Sequence, residues 1–167
     1  RNKTNYMKII KYFFEFIDIL SLFSIFKIIG IKNASNLGSF LGKLFGPAFR
    51  SKNIIIKNIT IGLGEISSED QKKIITGMWS NIGRTFAEYV FLKDFKLNKN
   101  NHKYIKINGL NYLNEIKKNN EPVIFYSGHF ANFELMALEI DKFGIKCAAI
   151  YRPLNNWFLN PVMEYLR

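Results

Sequence analysis

The chain has 167 residues, of which 48% are hydrophobic and 16% aromatic, a length that suits one domain and a composition that excludes an intrinsically disordered chain. Its formal net charge is +11, and residues 1–60 hold ten Lys and Arg against two acidic residues. This basic, aromatic-rich N-terminal third favours an anionic partner, such as a membrane surface or nucleic acid, with a merely solvated lysine surface as the alternative.

The most apolar stretch of the chain covers residues 12–31. Glu15, Asp18 and Lys27 interrupt it, so it lacks the ~20 predominantly apolar residues of a transmembrane helix and also lacks one clean polar face. Lys and Arg residues flank it on both sides, a pattern typical of a membrane anchor or an interfacial helix. We predict a membrane-anchoring or interfacial segment over residues 1–32, with an ordinary buried core helix as the alternative.

The next part of the chain gives one helical signal and one ambiguous segment. Leucine and phenylalanine recur at helical spacing within residues 33–50, where Pro47 would end or bend the helix. Residues 53–64, which follow, fit either a strand or the end of a helix.

The clearest helical signal covers residues 67–92. Ser67 and Asp70 resemble a capping box at its start. One apolar stripe then follows in steps of three and four residues: Ile75, Met78, Ile82, Phe86 and Tyr89. This spacing predicts a long amphipathic helix whose aromatic side chains belong to the core.

From residue 103 onward, strand signals alternate with helix signals. Strands are predicted at 103–109, 123–127 and 145–151, and helices at 110–120 and 132–143, the second closed by Gly144. We expect an α/β fold over residues 33–167, with helices flanking a mainly parallel sheet. Sites of parallel sheets lie at the carboxyl ends of strands, which is where His129 and Arg152 fall. Cys147 lies inside a predicted strand, where a buried thiol is expected.

His129 and Glu134 are the first candidates for chemistry. On a regular helix two residues at this spacing are about 140° apart, so they can meet only if His129 lies in the strand-to-helix turn. Asn132 would then cap the helix and Glu134 would lie in its first turn, where the helix dipole stabilises a carboxylate. That carboxylate can orient an imidazole that takes a proton from a hydroxyl. Geometry alone leaves open a capped turn with an incidental histidine.

No protein nucleophile or metal motif accompanies this pair in the sequence. Ser127 lacks a GxSxG elbow, His102 is the only other histidine, and neither HExxH nor a paired-cysteine motif is present. The attacking group would therefore belong to the substrate. Arg152, in "YRPLNN", could bind a phosphate bidentately or be an ordinary surface arginine.

Two blocks of sequence carry a resemblance to a known family. "SGHFANFELMAL" (127–138) and "AIYRPLNNWFLNPVMEYLR" (149–167) resemble the bacterial lipid A biosynthesis acyltransferases, the late lauroyl and myristoyl transferases of the lysophospholipid acyltransferase superfamily. A histidine followed five residues later by Asp or Glu marks this superfamily, and His129 and Glu134 match it. Phe133 stands where the family usually has Trp. The similarity extends over essentially the whole chain.

The resemblance implies transfer of a fatty acyl chain from acyl carrier protein to a hydroxyl of a lipid A precursor. His129 would be the general base and Glu134 would orient it, while Arg152, Asn155 and Arg167 would bind substrate. No metal, organic cofactor or nucleic acid is expected. A glycerolipid acyltransferase and an inactive basic membrane-binding protein are the alternatives.

The resemblance also implies a location and a boundary. The enzyme would lie at the cytoplasmic face of the bacterial inner membrane, against an anionic membrane surface. Family members are nearly twice as long as this chain, so we expect residues 33–167 to be the N-terminal part of an acyltransferase domain that is truncated at its C-terminus.

Overall fold

The computed structural model of the chain describes residues 2–97, 104–128 and 130–167. It is 72% helical. The helices are α1 (Asn2–Phe49), α2 (Lys52–Leu63), α3 (Ser68–Glu88), α4 (Leu92–Leu97), α5 (Leu110–Asn119), α6 (Glu134–Lys142) and α7 (Asn160–Leu166), with a 3₁₀ turn at Tyr89–Phe91. The chain divides into two compact units, one of residues Phe23–Val90 and one of Arg1–Leu22 with Phe91–Arg167.

The predicted parallel sheet is wrong, because the described residues contain no strand. Residues 105–109, 121–128 and 145–151 have extended or irregular backbone without strand pairing. A strand forms only when a neighbouring backbone takes its N–H and C=O groups. Without such pairing the apolar side chains of these segments stay in solvent, with Ile124 95%, Tyr126 99% and Ile150 107% exposed. Cys147 is also exposed, contrary to the expected buried thiol.

The helices predicted from local signals are confirmed. Ser67 caps α3, since its Oγ accepts a hydrogen bond from the backbone N–H of Asp70 at 3.1 Å. α5 and α6 lie where the sequence predicts helices. Gly144 follows α6 with a φ of 90°, and the next N–H, that of Ile145, bonds back to the Ile140 carbonyl at 3.3 Å. Glycine adopts this left-handed conformation at little cost, which explains why α6 ends there.

Within the unit Phe23–Val90, the segment at residues 53–64 that was ambiguous in sequence is helical. Its residues Ile55 and Ile59 form a buried cluster with Trp79 of α3, and Ile75 and Met78 pack against this cluster. Ile82, which the predicted stripe places in the core, stays 48% exposed. The buried side of α3 instead passes through Trp79 and Gly83.

The second half of α1 packs against α3 at very short range. A Cβ added at Gly83 would lie 2.0 Å from the carbonyl oxygen of Gly38, and one added at Gly42 would lie 2.2 Å from that of Trp79. Only glycine permits this approach of two backbones. α1 also bends at Gly30, where φ is 77°, and it continues two residues beyond Pro47.

Aromatic and polar contacts complete this packing of α1 on α3. Phe26 is completely buried, and its ring packs edge-on against that of Phe86 at 6.4 Å between centroids. Ser35 donates to Glu88 at 2.8 Å and accepts from Arg84 at 3.0 Å. These interactions pair the polar side chains that the tight helix contact would otherwise desolvate.

In the other unit, the start of α1 and the chain around residue 158 are in contact. The ring of Phe158 lies 6.0 Å from those of Phe13 and Phe16. α4 and α6 are joined by an ion pair between Lys96 and Asp141 at 2.9 Å.

Among the described residues, no helix combines the length and the apolarity needed to cross a bilayer.

Candidate active site

Two of the predicted site residues, Glu134 and Arg167, are in direct contact. Glu134 is the first residue of α6, and Arg167 directly follows α7. The Arg167 side chain donates to Glu134 Oε1 from Nη2 at 2.6 Å and from Nε at 3.0 Å. The Arg167 side chain is 30% exposed, and the Glu134 side chain is 15% exposed. The structure thus joins two predicted residues that lie far apart in sequence and had been assigned separate roles.

Tyr151 also contacts the guanidinium of Arg167. Its ring centroid lies 4.9 Å from the Arg167 Cζ, within the range of a cation–π contact. The Tyr151 hydroxyl donates to Asn160 Oδ1 at 2.8 Å, and the same oxygen accepts the backbone N–H of Leu154 at 2.9 Å. An arginine that is both stacked and paired has a fixed orientation, so it also fixes the position of the Glu134 carboxylate.

Arg152 and Asn155, the other predicted substrate-binding residues, are exposed on the loop before α7. The neighbouring Asn156 is buried and anchors this loop. Its Nδ2 donates to the Tyr12 carbonyl at 2.9 Å and to Glu15 Oε2 at 3.2 Å, and its Oδ1 accepts the Phe158 N–H at 3.1 Å. Asn156, Asn160 and Tyr151 could not be selected from the sequence. The adjacent asparagines in "PLNN" give no sign of which one is buried, and Tyr151 and Asn160 belong to no motif of their own.

The turn that precedes α6 is tight. The N–H of Phe130 bonds to the Gly128 carbonyl at 2.9 Å, and a Cβ on Gly128 would lie 2.6 Å from the Phe130 ring. Ala131 has a φ of 46°, a left-handed conformation that is uncommon for any residue other than glycine. Strained backbone of this kind clusters at functional sites, so the turn is a fitting place for a reactive side chain.

His129, the predicted base, lies outside the described residues. The start of α6 differs from the prediction, in which Asn132 caps the helix. α6 begins at Glu134, and Asn132 contributes a backbone carbonyl that accepts the N–H of Leu135 at 3.2 Å. The described residues contain no group of three His, Cys, Asp or Glu side chains that could hold a metal ion.

These contacts bring together an acidic and a basic side chain at the N-terminus of α6. The family described as bacterial lipid A biosynthesis acyltransferase matches residues 2–167 of the chain. The chain belongs to this family. It is therefore an acyltransferase of lipid A biosynthesis. Comparison with curated proteins and with solved structures gives no significant match.

In this lipid A acyltransferase the resemblance noted in the sequence is thus confirmed at the level of the family. The residues that match the family include both partners of the Glu134–Arg167 contact, and also Tyr151 and Asn156. The geometry adds that Glu134 already has a cationic partner. The roles of His129, Arg152 and Asn155 stay predictions.

Proposed function

We propose that the chain transfers a fatty acyl chain from acyl carrier protein to a hydroxyl group of a lipid A precursor, with His129 as general base and Glu134 as the residue that orients it. The observation that carries this proposal is the contact between Glu134 and Arg167. It fixes the carboxylate at the N-terminus of α6, five residues after His129 in the sequence.

The proposed reaction is direct transfer of the acyl group from the thioester sulfur of the carrier protein to the oxygen of the acceptor hydroxyl. His129 takes the proton of the acceptor hydroxyl while its oxygen attacks the thioester carbonyl carbon, and the C–S bond then breaks. The thiolate of the carrier leaves and receives the proton from the imidazolium. Glu134 stabilises that imidazolium, and Arg167, with Arg152 and Asn155 on the nearby loop, binds the anionic groups of the substrate.

We assign the membrane contact to residues 1–32, at the cytoplasmic face of the inner membrane. In the part of α1 before residue 23, apolar side chains lie in solvent beside lysines: Tyr6 is 66% exposed, Met7 73% and Phe14 62%, with Lys8 and Lys11 on the same turns. A helix with apolar side chains and cations on its surface suits the interface of an anionic bilayer.

The test of the proposal compares two glutamates of α6 that are matched in burial. Glu134 and Glu139 are each 15% exposed, and each forms an ion pair, with Arg167 at 2.6 Å and Lys142 at 2.8 Å. We expect Glu134→Gln and His129→Ala each to lower kcat by about 10²- to 10⁴-fold, the usual contribution of acid–base catalysis, and Glu139→Gln to change it little. The measurement is acyl transfer from acyl carrier protein to a lipid A precursor.

Three results would contradict this assignment. Equal losses for the two glutamate variants would reduce Glu134 to a structural role, and full activity of His129→Ala would remove the base. A product formed only when a lysophospholipid replaces the lipid A precursor, identified by mass spectrometry, would favour the glycerolipid alternative.

A further inference from the structure

Tyr151 contacts both ends of α7 with a single side chain. Its hydroxyl donates to Oδ1 of Asn160, the first residue of α7, at 2.8 Å. The face of its ring meets Arg167, which directly follows α7, with 4.9 Å between the ring centroid and the Arg167 Cζ. The ring is therefore anchored at its hydroxyl while its face meets the guanidinium.

The anchor of the Tyr151 hydroxyl is itself fixed. Asn160 Oδ1 also accepts the backbone N–H of Leu154 at 2.9 Å. At the other end of the same amide, Asn160 Nδ2 donates to Glu164 Oε1, one turn further along α7, at 2.7 Å. An amide that is bonded at both ends has little rotational freedom, because turning it would break hydrogen bonds on both sides. Asn160 thus ties the loop that carries Tyr151 to α7.

Arg167 passes this order on to Glu134. Its Nε and Nη2 both donate to Glu134 Oε1, at 3.0 Å and 2.6 Å. Both side chains are partly buried, so solvent screens their interaction less than it would on an open surface. An unsupported guanidinium can turn about the bonds of its long side chain, whereas a stacked aromatic ring restricts the plane that it adopts. The position of the carboxylate therefore depends on a ring that does not touch it directly through any contact described above.

We propose that Tyr151 is a positioning residue for acyl transfer: it holds Arg167 in the orientation that places the Glu134 carboxylate where it can orient His129. The inference rests on the proposed function, in which Glu134 has that task. It also gives Arg167 a second role beside substrate binding. The two roles differ in their kinetics, because loss of substrate binding raises KM whereas loss of alignment lowers kcat.

Two substitutions of Tyr151 test whether the ring face is what matters. Tyr151→Leu keeps the apolar volume but removes the aromatic face, so it should lower kcat about three- to tenfold and change KM less than about twofold. Tyr151→Phe keeps the face that meets Arg167 and should lower kcat less than about twofold. Because Tyr151 is 37% exposed, we expect both variants to fold, which circular dichroism verifies.

Tyr165 provides a matched control at the same end of α7. It also has a cation over its ring, since Lys93 Nζ lies 5.6 Å from the ring centroid and donates to the Tyr165 hydroxyl at 3.3 Å. Its cation is thus Lys93 rather than Arg167, the partner of Glu134. Tyr165→Leu should therefore change kcat less than about twofold, although it removes the same kind of contact as Tyr151→Leu.

A double-mutant cycle shows whether Tyr151 acts through Glu134. In the Glu134→Gln background the carboxylate is absent, so adding Tyr151→Leu should lower kcat further by less than about twofold. A merely structural role would give the same ratio in both backgrounds. The measurement is acyl transfer from acyl carrier protein to a lipid A precursor, with kcat expressed per folded protein.

Losses in kcat that are not multiplicative, at an unchanged KM, support the proposal. It is overturned if Tyr151→Leu leaves kcat unchanged or alters KM alone, if Tyr165→Leu has an equal effect, or if the two losses multiply in the double variant. Each of these results can occur while Glu134→Gln alone lowers kcat, and then only the inference on Tyr151 fails. Full activity of Glu134→Gln would instead remove the proposed role of Glu134, and this inference with it.

Discussion

Apolar residues are frequent both in the unit Phe23–Val90 and in the extended segments at residues 121–128 and 145–151. The two regions differ in how far apolar side chains are buried. In the helical unit, Phe26 is completely buried, and Trp79 is 8% exposed. In the extended segments, Ile124 and Ile150 are 95% and 107% exposed. A helix satisfies its own backbone hydrogen bonds and needs only an apolar neighbour, whereas a strand needs a second backbone before its side chains can be covered.

The largest loss of stability should come from the buried side of this comparison. Phe26→Ala removes a ring that has no exposed surface and that contacts Phe86, so it should lower the free energy of unfolding by about 3–5 kcal/mol. Ile28→Ala, two residues away on the same helix and 84% exposed, is the control and should change it by less than about 0.5 kcal/mol. Urea unfolding followed by circular dichroism measures both, and similar values for the two variants would contradict the assigned core.

A somewhat smaller loss should follow from separating α1 and α3. Gly83→Ala places a methyl group against the Gly38 carbonyl, and relief of this overlap should cost about 1–3 kcal/mol. Gly77 lies on the same helix in open space, so Gly77→Ala should instead stabilise the chain by up to about 1 kcal/mol. The opposite signs are the diagnostic result in thermal unfolding. Stabilisation by both substitutions would mean that the two helices do not approach closely at Gly83.

Local signals account for the parts of the fold that could be predicted from the sequence. The cap at Ser67, the helical spacing up to Tyr89 and the glycine after α6 each act within a few residues of the structure they determine. The close approach of Gly38 and Gly83 gives no local signal in the sequence, because each glycine by itself disfavours a helix. The sheet was wrongly predicted for a related reason: an apolar run shows that burial would be favourable but not that a pairing backbone is present.

The candidate site likewise has features that could be predicted from the sequence and features that could not. The spacing of His129 and Glu134 and the block "YRPLNN" identified the family, which the match over residues 2–167 confirms. The contact between Glu134 and Arg167 could not be derived, because it depends on the path of the loop between residues 152 and 160. That path is fixed by Asn156 and Asn160 through hydrogen bonds to main-chain groups, which many polar residues could make.

This loop offers a test within the unit that also contains the extended segments. Asn156→Ala removes a buried side chain bonded to the Tyr12 carbonyl and to the Phe158 N–H, so it should cost about 1–3 kcal/mol. Its exposed neighbour gives the control, since Asn155→Ala should cost less than about 0.5 kcal/mol. Hydrogen exchange of residues 156–160 should rise only in the first variant. Equal protection in both would show that Asn156 does not anchor the loop.

The smallest effect is expected in the extended segments. A substitution there, compared with the same substitution in a helix, distinguishes exposed from buried apolar residues most directly. Ile124→Ala should change the free energy of unfolding by less than about 0.5 kcal/mol, because a side chain that is 95% exposed loses almost no burial. Ile140 of α6 is 6% exposed, and the same substitution there should cost about 2–5 kcal/mol. Both isoleucines lie in the same unit, so urea titrations of the two variants under identical conditions compare them directly. A cost above about 1 kcal/mol for Ile124→Ala would mean that residues 121–128 are packed, and the contrast between helical and extended segments would then fail.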